Sequence, residues 1–135
     1  MHEVKDQLHP LNKHRERYDF VQLVKVCPEL EKHLLKTGSA DFTIDFTDPE
    51  AVKTVNKALL KLFYGVYLWD IPEGYLCPPV PGRADYIHYM AELLAESYDK
   101  IPRGKTVRVL DVGVGANCIY PSDRVQRIWL DFYRI

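Results

Sequence analysis

The sequence predicts an α/β chain in which a helical extension leads into one core strand and a glycine turn. Three observations carry this reading. Apolar residues recur at helical spacing through much of residues 19–98, the pattern of helices that bury one face. Val107 to Val112 then reads as a buried strand. Gly113 and Gly115 follow it at once, and a strand running into Gly-x-Gly is how doubly wound sheets present backbone to a nucleotide-like ligand.

Each element can be justified in turn. Residues 1–17 are polar, with His2, His9 and His14 and a cluster of Lys13, Arg15 and Arg17; Leu8 and Leu11 alone offer an apolar anchor. From Asp19, Phe20, Leu23, Val24 and Val26 share a helical face. Pro28 opens a second short helix through Leu30, Leu34 and Leu35, which Gly38 ends. Phe42, Ile44 and Phe46 alternate with Thr43 and Asp45, an edge-strand signal. Thr47-Asp48-Pro49-Glu50 offers a cap, an N-terminal proline and a first-turn acid. Val52, Val55, Leu59, Leu60 and Phe63 continue that helix up to Gly65. Residues 69–82 carry Pro72, Pro78, Pro79 and Pro81 among aromatic residues, an ordered loop rather than a linker. Ala84 to Tyr98 returns to helix, and Lys100 to Lys105 is a basic turn.

Composition narrows the function classes. The 135 residues are 47% hydrophobic and 27% charged, the balance of a globular domain. Eighteen basic against nineteen acidic residues give a net charge of −1, so any nucleic-acid surface is a local patch. Uncharged stretches such as Leu62 to Trp69 are far short of the roughly 20 residues of a membrane span. The charged N-terminus has no apolar signal core behind it. Cys27, Cys77 and Cys118 are odd in number and widely spaced, which fits reduced thiols in the cytoplasm. These signs exclude secretion and membrane residence, and the lack of Cys/His pairing argues against a metal site.

The residues that can carry chemistry are few. In VRVLDVGVGANCIYP, Asp111 stands two residues before Gly113. A dinucleotide fingerprint needs a third glycine where Cys118 stands, so an S-adenosylmethionine loop fits better than an NAD site. On Asp-x-Gly-x-Gly alone, an ordinary strand-ending turn stays open. Arg83 follows Pro78-Pro79-Val80-Pro81-Gly82, and an arginine behind a stiff loop suits a carboxylate or phosphate, or is a plain surface residue. Lys13, Arg15 and Arg17 suit a phosphate backbone or a solvated tail. His88, mid-helix beside Tyr86 and Tyr89, reads as a packed residue.

Three stretches together carry a resemblance: LHPLNKHRERYDF (8–20), WDIPEGYLCPPVPGRADYIHY (69–89) and LDVGVGANCIYP (110–121). With IDFTDPEAVKTVNKALLK between them, they closely resemble the bacterial adenine-N6 methyltransferases of large-subunit (23S) ribosomal RNA, the family of ribosomal RNA large subunit methyltransferase F. The eukaryotic U6 small-nuclear-RNA adenine methyltransferase is similar at greater distance. The resemblance implies a class I S-adenosylmethionine-dependent, Rossmann-like fold behind an RNA-binding helical extension. It assigns Arg83, Asp111, Gly113, Gly115 and Asn117 to the cofactor, and Asn12, Lys13, Arg15 and Arg17 to RNA. Leu11 and Lys13 stand where the family usually has arginine, which weakens that contact.

The implied organisation is an RNA-facing arm over 1–18, a helical extension over 19–105, and the first strand with its cofactor loop over 106–121. Most of the sheet is then missing. The family's Asn-Pro-Pro-Phe tetrad, which holds the adenine amine, is absent, so no catalytic residue is assigned. Residues 122–135 do not resemble the family. Shifting a suitably chosen reading frame of residues 126–135 by one base yields Arg-Glu-Tyr-Gly-Trp-Thr-Phe-Ile-Gly-Ser, which looks like the family's next strand region. The expectation is therefore a frameshifted, incomplete copy, inactive alone. A non-catalytic RNA-binding fragment and an inert product are the rival readings.

Overall fold

The computed structural model describes residues 5–38, 41–102, 107–112 and 131–134. Helix α1 (Phe20–Val26) starts where Asp19 accepts from the Val21 and Gln22 amides, satisfying two donors that a helix start leaves unpaired. A 3-10 turn (Pro28–His33) follows. Leu34 and Leu35, expected to extend a helix, instead form strand β1 (Leu34–Thr37), paired antiparallel with β2 (Asp41–Ile44) from Leu34↔Ile44 to Thr37↔Asp41. The edge strand read from Phe42 and Ile44 needed a partner for its backbone groups, and residues 34–37 supply it. Gly38, at φ 74°, takes the left-handed turn conformation that a residue with a Cβ resists.

Helix α2 (Pro49–Tyr64) begins and ends where the sequence predicts. The Asp48 carboxylate accepts from the Glu50 amide, Pro49 fills the first turn, and Gly65 closes the helix at φ 66°. The Gly65 and Val66 amides donate to the Lys61 and Leu60 carbonyls, which satisfies groups otherwise left open at a C-terminus. Helix α3 (Val80–Tyr98) starts four residues before the predicted Ala84, so Pro81 and Gly82 lie in its first turn. A proline there loses no hydrogen bond, because the first amides of a helix have no partner within it.

The predicted strand is β3 (Arg108–Asp111), but it is not alone. Strand β4 (Asp131–Arg134) lies parallel to it, with Arg108↔Asp131 through Asp111↔Arg134 in register. One neighbour thus gives β3 the ladder partner that an isolated strand lacks.

Two cores result. In the larger, Leu23 and Cys27 of the α1 end, Leu30, Ile44, and Val55, Leu59 and Leu60 of α2 close around Val80. In the smaller, Ile87 and Ala91 of α3 pack against Leu94, Ile101 and Val107. Helix α3 therefore contributes its start to one core and its middle to the other. Burying each large aliphatic side chain is worth about 1.5–3 kcal/mol, which makes α2 the main anchor of the fold.

Candidate functional site

The polar arm before α1 is docked, and polar residues do the docking. Leu11, a presumed anchor, is 60% exposed, whereas His9, Asn12 and His14 are 2%, 4% and 0% exposed. The arm folds on itself, with the Lys5 amide donating to the Arg15 carbonyl at 2.8 Å. The His9 amide donates to Asp85 Oδ1 of α3 at 2.6 Å. Its ring stacks on His88 at 4.9 Å between centroids and lies 2.8 Å from a Glu92 carboxylate oxygen. Asn12 Nδ2 donates to the Pro81 carbonyl at 3.1 Å and to Asp85 Oδ1 at 3.0 Å. His14 sits between two phenols, Tyr64 at 2.8 Å from Nε2 and Tyr18 at 3.0 Å from Nδ1. Burial holds the Tyr18 phenol well above the usual tyrosine range, so it stays a neutral hydroxyl able to donate.

The arm's cations are spread over three elements. Lys13 Nζ donates to the Phe63 carbonyl at the end of α2, at 3.2 Å. The Arg15 guanidinium lies 3.2 Å from Asp6, and that of Arg17 lies 3.0 Å from Asp41 of β2. The Arg15 and Arg17 side chains are 27% and 48% exposed, and Lys13 is half-buried. Asn12 differs from them, being turned inward.

Arg83 is exposed in the first turn of α3, and its amide donates to the Pro79 carbonyl at 3.3 Å. The approach to it is held from below. Asn56, buried in α2, donates to Cys77 Sγ at 2.9 Å and to the Pro78 carbonyl at 3.2 Å. Lys57 pairs with Asp70 at 3.1 Å. Sequence reading missed Asn56 and Asp85, and read His9 as part of a phosphate-facing or solvated arm, whereas it is 2% exposed against α3. The signal was indirect: a proline-rich loop offers carbonyls without matching amides, so side-chain amides such as Asn56 and Asn12 must serve them. Asp111 closes β3; Gly113, Gly115 and Asn117, the predicted cofactor loop, lie outside the described residues.

Between the arm, the β1–β2 hairpin and α2 runs an open cavity of about 810 Å³, lined by Lys5, Arg17, Tyr18, Phe42, Phe46 and Asn56 among others. Burial lowers the Lys5 ammonium from its ordinary range, and its Nζ lies 4.5 Å from the Tyr18 ring centre. No helix among the described residues is long and apolar enough to cross a membrane, and no group of three His, Cys, Asp or Glu residues there is placed to hold a metal ion.

A sequence profile of an RNA methyltransferase family matches residues 2–127. The ribosomal RNA large subunit methyltransferase F of Serratia proteamaculans is 59% identical over 118 residues, covering 87% of this chain and 35% of that protein. That of a Marinomonas species is 62% identical over 116 residues, covering 85% and 36%. The chain thus spans about a third of the length of the curated relatives it matches. Among solved structures, the N-terminal domain of human METTL16 superposes with a TM-score of 0.81 at 28% identity, covering 99% of this chain and 49% of that one. A METTL16 catalytic domain in complex with a MAT2A 3′UTR hairpin superposes with a TM-score of 0.74, again at 28% identity, over 95% of this chain and 44% of that one.

Proposed function

The chain belongs to the RNA methyltransferase family, and from that premise we propose that it serves methyl transfer from S-adenosylmethionine to an adenine N6 of large-subunit ribosomal RNA. One observation carries the reading: a basic arm and the arginine-bearing start of α3 are joined by hydrogen bonds from the buried His9 and Asn12 to Pro81 and Asp85. Groups for a polyanion and a group for a small anion are thereby held on one support.

The residues fit such a cofactor. Arg83 stands one turn before Ile87, whose face of α3 packs with Val107 just ahead of β3. The Arg83 side chain is exposed, and the backbone just before it is uncrowded, since a Cβ added at Gly82 would meet nothing nearer than Pro79 Cγ at 4.0 Å. Arg83 would hold the methionine carboxylate, and Asp111, Gly113, Gly115 and Asn117 the rest of the cofactor. When bound, S-adenosylmethionine supplies the electrophilic methyl group. The chain's part is to bind and orient, which removes much of the barrier to bringing two reactants together. Lys13, Arg15 and Arg17 would place the RNA through its phosphates.

Calorimetric titration with S-adenosylhomocysteine tests the cofactor half. Arg83→Ala should bind roughly tenfold to a hundredfold more weakly, the loss of one charge-assisted hydrogen bond; unchanged affinity would remove Arg83 from the cofactor site. Fluorescence anisotropy with large-subunit RNA tests the other half. Replacing Lys13, Arg15 and Arg17 with alanine should flatten the salt dependence of binding, because fewer counterions are released. Since these 135 residues contain no Asn-Pro-Pro-Phe tetrad, a second reading is favoured for the chain by itself: RNA binding without methyl transfer.

A further inference from the structure

We propose that Asn12 is a positioning residue that clamps the first turn of α3 and so holds Arg83 in place, its amide committed to the protein rather than to RNA. The claim rests on the reading of Arg83 as the cofactor arginine only for its functional consequence; the clamp itself stands on geometry. Asn12 is 4% exposed, and both ends of its amide are engaged. Nδ2 donates to the Pro81 carbonyl and to Asp85 Oδ1, at 3.1 and 3.0 Å, and Oδ1 accepts from the His14 amide at 2.9 Å. An asparagine side chain has few further sites to offer, so an RNA contact would require breaking one of these.

Pro81 and Asp85 bracket Arg83 by two residues on either side. The helix they begin has no cap of its own, for Pro79 stands at the cap position and makes no side-chain hydrogen bond. Helices normally gain from a side chain that satisfies their first turn. Among the described residues the arm supplies no acceptor for those first amides; it tethers the helix start instead, through the Pro81 carbonyl and through Asp85 one turn on. His9 adds a second link by donating its amide to the same Asp85 oxygen at 2.6 Å. Without Asn12, one of the three hydrogen bonds that tie the start of α3 to the arm is left, the one from the His9 amide to Asp85. The arm and the arginine then no longer move as one piece, and an anion meeting Arg83 must first order it, which weakens binding.

The test uses the 135-residue chain and two measurements. In hydrogen exchange followed by NMR, Asn12→Ala should speed exchange of the Arg83 and Asp85 amides by about tenfold, through loss of the two hydrogen bonds that Nδ2 makes to the helix start. Leu23→Ala, which weakens the other side of the larger core, is the control and should not single out these amides. Asp85→Ala should reproduce the effect from the opposite partner, and Asp85→Asn, which keeps an acceptor oxygen, should restore most of the protection. Equal protection in wild type and in both alanine variants, or the same local change in Leu23→Ala, would overturn the clamp.

In titrations with S-adenosylhomocysteine, Asn12→Ala should weaken binding, and the Asn12→Ala/Arg83→Ala pair should bind no worse than Arg83→Ala alone. Additive losses would mean that Asn12 acts apart from Arg83, against the proposal. If Arg83→Ala binds like wild type, the cofactor reading of Arg83 fails, while the exchange result still decides the clamp. Finally, Asn12→Ala should leave the salt slope of RNA binding unchanged, since no phosphate contact is lost; a flattened slope would return Asn12 to the RNA.

Discussion

His14 carries the arm's attachment to α2 with no solvent exposure at all. Its two ring nitrogens are matched to two hydroxyls, Tyr64 and Tyr18, and its ring packs edge-on to Phe63 with centroids 5.2 Å apart. A neutral imidazole donates from one nitrogen and accepts at the other, so the pair of phenols satisfies it completely. His14→Phe keeps the ring contact but removes the hydrogen bonds from the imidazole to both hydroxyls, and should lower stability by about 1–3 kcal/mol; urea unfolding measures it. Leu11→Ser, at a position 60% exposed, should change the midpoint little, by less than about 0.5 kcal/mol. The ordering of these two variants reverses what hydrophobicity alone suggests, because the arm's anchor is polar and its leucine is not buried. Nothing in the local sequence around His14 distinguishes a solvated histidine from this one.

At the scale of elements, α2 was the most legible part of the chain, since its cap, its period and its terminal glycine all lie within its own residues. Gly65 sits at φ 66°, where a side chain is strained, so Gly65→Ala should cost about 1 kcal/mol in thermal or chemical unfolding. The same helix pins the loop that leads to Arg83. Lys57 hydrogen-bonds to Asp70, and this and the Ile71 amide hold the Asp70 carboxyl below its ordinary value of 3.8. A carboxyl depressed by folding stabilises the native state fully above its unfolded pKa and loses that contribution as pH falls through the folded one. Asp70 is largely exposed, so Asp70→Asn should cost under about 1 kcal/mol at neutral pH. Wild type and variant should converge as pH drops below 3.8; a gap that persists there would mean the loss is steric. The hairpin was half legible: alternation revealed β2, but Leu34 and Leu35 follow a proline-started turn and carry no period that excludes a helix.

For the whole molecule, the two cores differ in size and should differ in resistance to opening. Among the described residues, eleven buried residues close the larger and two the smaller. Amides of α2 should therefore be the last to exchange and those of β3 and β4 among the first. Leu59→Ala should cost about 2–5 kcal/mol of global stability, measured by denaturant unfolding, because Leu59 is 1% exposed at the centre of the larger core. On the far side, Tyr86, Tyr89 and Leu93 of α3, with Leu110 and Val112 around β3, are all more than half exposed. Among the described residues β3 and β4 form a two-stranded parallel pair, smaller than the sheets in which parallel strands are normally buried. With no tetrad for the adenine amine in these residues, incubation with radiolabelled S-adenosylmethionine and unmodified large-subunit RNA should give no label above a no-protein blank. Transfer that disappears in Gly113→Val would show that these residues suffice for the reaction.

The sequence by itself determined the helices that carry their own caps, the proline-stiffened loop, the strand leading to Asp111 and the family, whose motifs are strings of adjacent residues. It also located the cations of the arm and Arg83, without their surroundings. Only the tertiary structure decided which polar residues of the arm turn inward, that residues 34–37 pair as a strand, and that a second strand lies along β3. The reason is separation along the chain. Periodicity and capping are settled within a few residues, whereas Asn12 is buried by partners 69 and 73 residues away and His9 by one 76 away. Whether a short polar side chain faces water or fills a buried site depends on whether such partners arrive with the right donors and acceptors, and no local pattern records that.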